Sequence, residues 1–147
     1  MAATTLLDHV GANFIRPRWS EYLVPEDSAA HYEARLRSIH LGRRPDLIML
    51  GMGADAHIAS LFPDTPALAE QSRWYVANHD TGQPEDRLTA TYPLIWSAAL
   101  VVVVALGVEK AGALKASFEG GTPAGRLSEA EGVVEWYVDR EAASLLS

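Results

Sequence analysis

Apolar positions recur along the chain with two different periods, and the alternation between them predicts the fold class. Over residues 24–39, VPEDSAAHYEARLRSI, Tyr32, Leu36 and Ile39 share one helical face, with Pro25 and Asp27 near the start. PDLIML (45–50) is a continuous apolar run and predicts a buried strand. RWYVAN (73–78) and RLTATY (87–92) predict two more strands, the second with loose alternation. PLIWSAA (93–99) predicts a short helical turn that starts on Pro93, where proline is tolerated. AALVVVVALGV (98–108) is the most apolar run. Its eleven residues fall far short of the ~20 needed to span a bilayer, so it predicts a strand buried on both faces. GVEKAGALKASFE (107–119) predicts a helix closed by Gly120-Gly121. GVVEWYV (132–138) predicts a last strand, and DREAASLL (139–146) a last helix with Asp139 as N-cap. Strands separated by helices predict an α/β fold: an open, largely parallel sheet with helices on both faces.

Length and composition narrow the class further. The 147 residues suit a single domain, and no repeat, low-complexity tract or linker divides them. A net charge of −7 argues against a nucleic-acid partner, whose phosphates need a basic face. The chain has no cysteine, which removes a disulfide framework, a thiol nucleophile and a cysteine metal site, and fits a reducing cytoplasm. MAATTLLDHVGANF lacks the basic start and long apolar centre of a secretory signal, so the expectation is a soluble cytoplasmic protein without a membrane partner.

Rossmann-like sheets bind ligands beyond the carboxyl ends of their strands. Three such ends are expected here: Gly51 onward, Gly107 to Lys110, and Asp139. The first, LIMLGMGADAHIASLFP (47–63), is the richest in chemistry. Its G-x-G-x-x-A pattern fits a dinucleotide turn, but that turn must open a long helix whose N-terminus holds pyrophosphate. Pro63 and Pro66 keep any helix here short. Asp80 would be the ribose-binding acid of that reading. Alternatively the glycines free a tight loop that presents His57 for proton transfer, with Asp55 orienting its imidazole. Spacing alone leaves a third reading open, in which Asp55 caps a turn and His57 is simply packed or exposed. A metal site from His57, His79, Asp55 and Asp80 matches no known spacing. His9, His31 and His40, and the scattered Trp19, Trp74, Trp96 and Trp136, are expected to be surface or packing residues.

LGMGADAHIASLFP resembles the signature of the 6-phosphogluconolactonases, G-M-G-x-D-G-H-x-A-S-L-F-P. RLTATYPLIWSAALVVVVALGVEKAGAL is similar to that family's Arg-x-Thr-x-Thr segment, buried strand and Gly-x-x-Lys turn. VEWYVDREAAS resembles its closing strand and helix, and LLDHVGANFIRPRW and EDSAAHYEARLRSI fit upstream. The related glucosamine-6-phosphate deaminases follow the same core with Asn-Glu-Pro, where this chain has Ser60-Leu61-Phe62-Pro63. The resemblance implies hydrolysis of 6-phospho-D-glucono-1,5-lactone, a sugar-phosphate lactone, with neither metal nor organic cofactor. It implies His57 as general base, Asp55 as its orienter, Gly51 and Gly53 as backbone donors to the oxyanion, and Arg87 and Lys110 as phosphate ligands.

Two departures from the family pattern carry expectations of their own. Ala56 stands where the family has glycine, and a positive φ there would cost on the order of 1 kcal/mol. The chain also begins inside the family pattern, without the upstream strands, Ser-Gly-Gly phosphate loop and Asp-Glu-Arg segment. That predicts an open edge or apolar face and hence a homo-oligomer, with impaired catalysis. A non-catalytic remnant that binds sugar phosphate or protein, and an aminosugar-phosphate isomerase or deaminase, are the alternatives.

Overall fold

A computed structural model describes residues 9–11, 13–18, 21, 24–40, 43–79, 81–82 and 85–146. Trp19 and Asp80, named above, lie outside them. The described elements are α1 (Pro25–His40), β1 (Leu47–Gly51), β2 (Tyr75–Asn78), β3 (Arg87–Ala90), α2 (Tyr92–Ser97), β4 (Leu100–Ala105), α3 (Ala111–Glu119) and β5 (Val133–Val138). Short 3₁₀ turns lie at Pro66–Ala69, Val108–Lys110, Gly125–Glu129 and Ala142–Leu145. The last of these replaces the helix expected in DREAASLL. Eight residues are too few to offset helix nucleation unaided. Asp139 still caps the turn, because its Oδ1 accepts the Ala142 N–H at 2.8 Å. The same carboxylate accepts the Gly107 N–H and so ties the turn to the end of β4.

The expected open parallel sheet is present, in the order β1-β4-β5. Leu47 pairs with Leu100 and Gly51 with Val104, while Leu100 pairs with Val133 and Ala105 with Val138. Parallel partners in register point the same way, so Ile48, Leu50, Val101, Val103, Ala105, Val134, Trp136 and Val138 share one face. That face is the core. It packs with Tyr92 and Ile95 of α2 and Leu114 of α3, all fully buried. Burying each large side chain contributes roughly 1.5–3 kcal/mol.

The opposite face departs from the sequence reading. PDLIML and the valine run were expected to be buried strands, the latter on both faces. Instead Leu47 is 49% exposed, Met49 67%, Val133 59% and Tyr137 56%. Val102 and Val104 between them are only partly covered. An uninterrupted apolar run does not say which side will be covered.

β2 and β3 form a separate antiparallel hairpin, with Val76 opposite Thr89 and Asn78 opposite Arg87. α1 packs on this hairpin through Tyr32, whose ring meets that of Tyr75 edge-on at 4.7 Å. Ile39, expected on the buried face, is exposed, and Glu33 is buried instead. Burial would strand a lone carboxylate, but Glu33 accepts bonds from Arg37, Arg73 and the Trp74 N–H. The glutamate is therefore the pin between α1 and β2.

Candidate active site

β1 ends at Gly51, and residues 52–65 run on as consecutive tight turns rather than a helix. Isolated bridges pair Met52 with Ile58 and Ile58 with Leu61. Ile58 and Leu61 are fully buried and anchor the loop in the core. The first helical turn after Gly53 is the 3₁₀ turn at Pro66–Ala69, so the pyrophosphate-binding helix of the dinucleotide reading is missing. Three non-glycine residues in the loop have left-handed backbone: Ala56 (φ 64°), Ala59 (φ 50°) and Asp64 (φ 61°). The strain anticipated at Ala56 is thus present. Its carbonyl accepts the Ala124 N–H at 3.0 Å, which holds the strained residue against the segment after α3.

These turns bring Asp55 and His57 together. Oδ1 of Asp55 lies 2.6 Å from Nδ1 of His57 and also accepts the His57 backbone N–H at 3.2 Å. Burial pushes the pKa of Asp55 up, but the bonds from the His57 ring and backbone outweigh it and hold the carboxyl below its ordinary value. An ionised Asp55 accepts only, so in the neutral ring Nδ1 carries the proton and Nε2 keeps its lone pair. The imidazole rests on Phe62, with ring centroids 4.3 Å apart. An oriented imidazole with one free nitrogen can take a proton from water and return it.

Gly53 differs from its expected role. Its N–H donates to the His57 carbonyl at 2.9 Å, so it is not available to an oxyanion. Gly53 contributes space instead: a methyl group there would overlap Nδ1 of His57 and Oδ1 of Asp55. Gly51 ends β1 and is exposed, with open space around it. Arg87 opens β3, where its Nη1 donates to the carbonyl of Glu85 at 3.0 Å and sits 3.9 Å from the Glu85 carboxylate. Lys110 closes the turn after β4, the strand beside β1. No hydrogen bond or ion pair among the described residues joins Arg87 or Lys110 to the Asp55–His57 pair. None of the described His, Asp and Glu residues form a group of three able to hold a metal ion.

Sequence reasoning missed three contributors. Phe62 walls the imidazole, and Thr89 and Asn78 reach from the hairpin to the loop. Oγ1 of Thr89 accepts the Ser60 N–H at 3.0 Å, and Nδ2 of Asn78 donates to the Ser60 carbonyl at 2.7 Å. The alternating Arg-x-Thr spacing was the available signal, since it puts Arg87 and Thr89 on one face of a strand.

A family model described as glucosamine-6-phosphate isomerases/6-phosphogluconolactonase matches residues 1–136. The chain belongs to this family. It is 39% identical over 109 residues to probable 6-phosphogluconolactonase 3, chloroplastic, of Oryza sativa subsp. indica, covering 69% of this chain and 33% of the relative. It is 37% identical over 141 residues to probable 6-phosphogluconolactonase 1 of Arabidopsis thaliana, covering 82% and 53%. The solved 6-phosphogluconolactonase from Trypanosoma cruzi superposes with a TM-score of 0.73 at 26% identity, over 84% of this chain and 53% of that one. The chain thus spans a third to about half the length of these curated relatives.

Proposed function

We propose that the protein hydrolyses 6-phospho-D-glucono-1,5-lactone to 6-phosphogluconate, with His57 as general base. The observation that carries this reading is the 2.6 Å Asp55–His57 contact, which leaves Nε2 free at the carboxyl edge of a parallel sheet. The lactonase names of its relatives favour this substrate over an aminosugar phosphate. Nε2 takes a proton from water as the water oxygen bonds to the lactone carbonyl carbon. The tetrahedral intermediate then collapses, the bond from that carbon to the ring oxygen breaks, and the ring oxygen takes the proton back from the imidazolium. Asp55 holds the ring in one tautomer throughout. Arg87 and Lys110 bind the phosphate, and the Gly51 end of β1 borders the reacting carbonyl.

The protein acts as one domain over residues 1–147, in the cytoplasm and as a homo-oligomer. One buried cluster reaching from Leu50 to Ala142 supports the single domain. The cysteine-free composition supports the compartment, and the open apolar sheet face supports self-association. No helix among the described residues is long and apolar enough to cross a membrane. The acidic net charge of −7 speaks against nucleic acid.

The test is acid release from the phosphorylated lactone, measured against its spontaneous hydrolysis. The protein accelerates it, and His57→Gln lowers kcat by ~10²-fold or more, the scale of a lost general base. An active parent with an unimpaired His57→Gln variant removes His57 from the mechanism. No acceleration at all overturns the hydrolase reading in favour of non-catalytic binding.

A further inference from the structure

The face of the β2–β3 hairpin turned toward the His57 loop carries two fully buried polar side chains, Asn78 and Thr89. Their hydrogen bonds leave the hairpin and converge on one short segment of the loop. Thr89 takes the N–H of Ser60 and Asn78 gives to its carbonyl, so both peptide planes flanking Ser60 are fixed. The second amide hydrogen of Asn78 goes to Oγ1 of Thr65 at 3.1 Å, and that hydroxyl donates to the Phe62 carbonyl at 2.7 Å. Phe62 therefore lies between two points held by the same amide, and the Phe62 ring is the wall behind the His57 imidazole. Immediately before Ser60 stands the left-handed Ala59, a strained link that needs holding from outside.

Stability alone does not account for this pair. Both side chains pair the Ser60 peptide, but buried polar groups cost free energy unless they are fully paired themselves. Here Oδ1 of Asn78 is buried without a partner among the described residues. Local rules broken in this way concentrate at functional sites. The hairpin also carries Arg87 directly opposite Asn78 and two residues before Thr89, on the same face. One rigid unit thus bears both the clamp on the base loop and the candidate phosphate ligand.

We propose that Asn78 and Thr89 are positioning residues for His57, clamping Ser60 and the Phe62 wall so that the imidazole keeps a fixed distance from the phosphate-binding Arg87. This inference rests on the lactonase reading above, and it deepens that reading.

Thr89→Val keeps the shape and removes the acceptor, whereas Thr89→Ser keeps the acceptor. Thr89→Val lowers kcat on the order of 10- to 100-fold, as expected for a misplaced base, and leaves KM unchanged because Arg87 and Lys110 are intact. Thr89→Ser restores kcat. A second readout needs no turnover: the ¹⁵N imidazole spectrum of His57 reports its Nδ1–H···Asp55 bond, altered in Thr89→Val and parental in Thr89→Ser. Asn78→Asp, which replaces the donor with a like-sized acceptor, changes kcat and the ring spectrum in the same direction.

An active parent whose Thr89→Val variant keeps both kcat and ring spectrum overturns the proposal. So does a loss that Thr89→Ser does not restore, or a loss of fold in both Thr89→Val and Asn78→Asp. An inactive parent overturns the lactonase reading instead. The ring spectra then decide the clamp alone: identical spectra reject it, and a shift restored by serine supports it.

Discussion

Among the described residues, His57 and His79 sit against carboxylates, and they are built for opposite purposes. His57 meets one carboxylate, Asp55, through Nδ1, and its ring is walled by Phe62. His79 meets two: Glu26 of α1 lies 2.6 Å from Nε2, and Asp86 before β3 lies 2.9 Å from Nδ1. The His57 side chain is 28% exposed and that of His79 is 42% exposed. When protonated, His79 donates through both nitrogens and has no lone pair to offer, and in that form it fastens α1 to the hairpin. His57 keeps one nitrogen unspent. A neighbouring carboxylate therefore does not make a histidine a base; a free, oriented nitrogen does.

The sharpest way to break this contrast is to disturb the base without touching either of its residues. A Gly53→Ala methyl overlaps Nδ1 of His57 and Oδ1 of Asp55, so these side chains must shift. Turnover is expected to fall on the order of 100-fold while far-UV circular dichroism stays parental. Parental kinetics for Gly53→Ala would show that the pair's close packing is irrelevant to turnover.

Smaller in effect is the relief of strain in the same loop. Ala56 has φ 64°, which glycine adopts without steric cost. Ala56→Gly is expected to stabilise the protein by ~0.5–1 kcal/mol, the left-handed penalty less glycine's greater unfolded entropy. Thermal unfolding should show this as a rise in Tm of about 2–4 °C. A lower Tm in Ala56→Gly would mean that buried packing of the methyl outweighs the strain.

The smallest effect is expected at His79. The bonds to Asp86 and then Glu26 raise its pKa above 6.5, and its own bond lowers that of Glu26 below 4.5. The sign follows for each group. The His79 contribution is full below about 6.5, its unfolded value, and is lost as pH rises through the higher folded value. The Glu26 contribution is present above 4.5 and is lost as pH falls through the lower folded value. The latch is thus tightest between 4.5 and 6.5, and water and salt screen it because both side chains are exposed. Amide exchange over residues 85–90 should be slowest in that window and quicken toward alkaline pH, after correction for intrinsic rates. In His79→Gln that dependence should flatten, with turnover unchanged. An unaltered exchange profile in His79→Gln would refute the latch.

How much of this was legible in the sequence differs between backbone and site. The period of the apolar positions determined the strands, the helices α1 and α3 and the parallel sheet, because burial of a periodic face is a local demand that any tertiary context must meet. The Gly-Met-Gly-x-Asp-x-His spacing put Asp55 and His57 in one tight loop, and the family resemblance rather than the spacing chose acid–base chemistry over a capped turn with a packed histidine. Only the tertiary structure decided the rest. It determined that the second sheet face, with Met49 and Tyr137, is open, because an apolar run carries no information about what covers it. It determined that the Gly53 N–H is spent on His57, because hydrogen-bond partners depend on the path of the turn rather than on residue type. And it brought Asn78 and Thr89 to Ser60 across 18 and 29 residues of chain, a meeting that hairpin packing arranges and that no local pattern encodes.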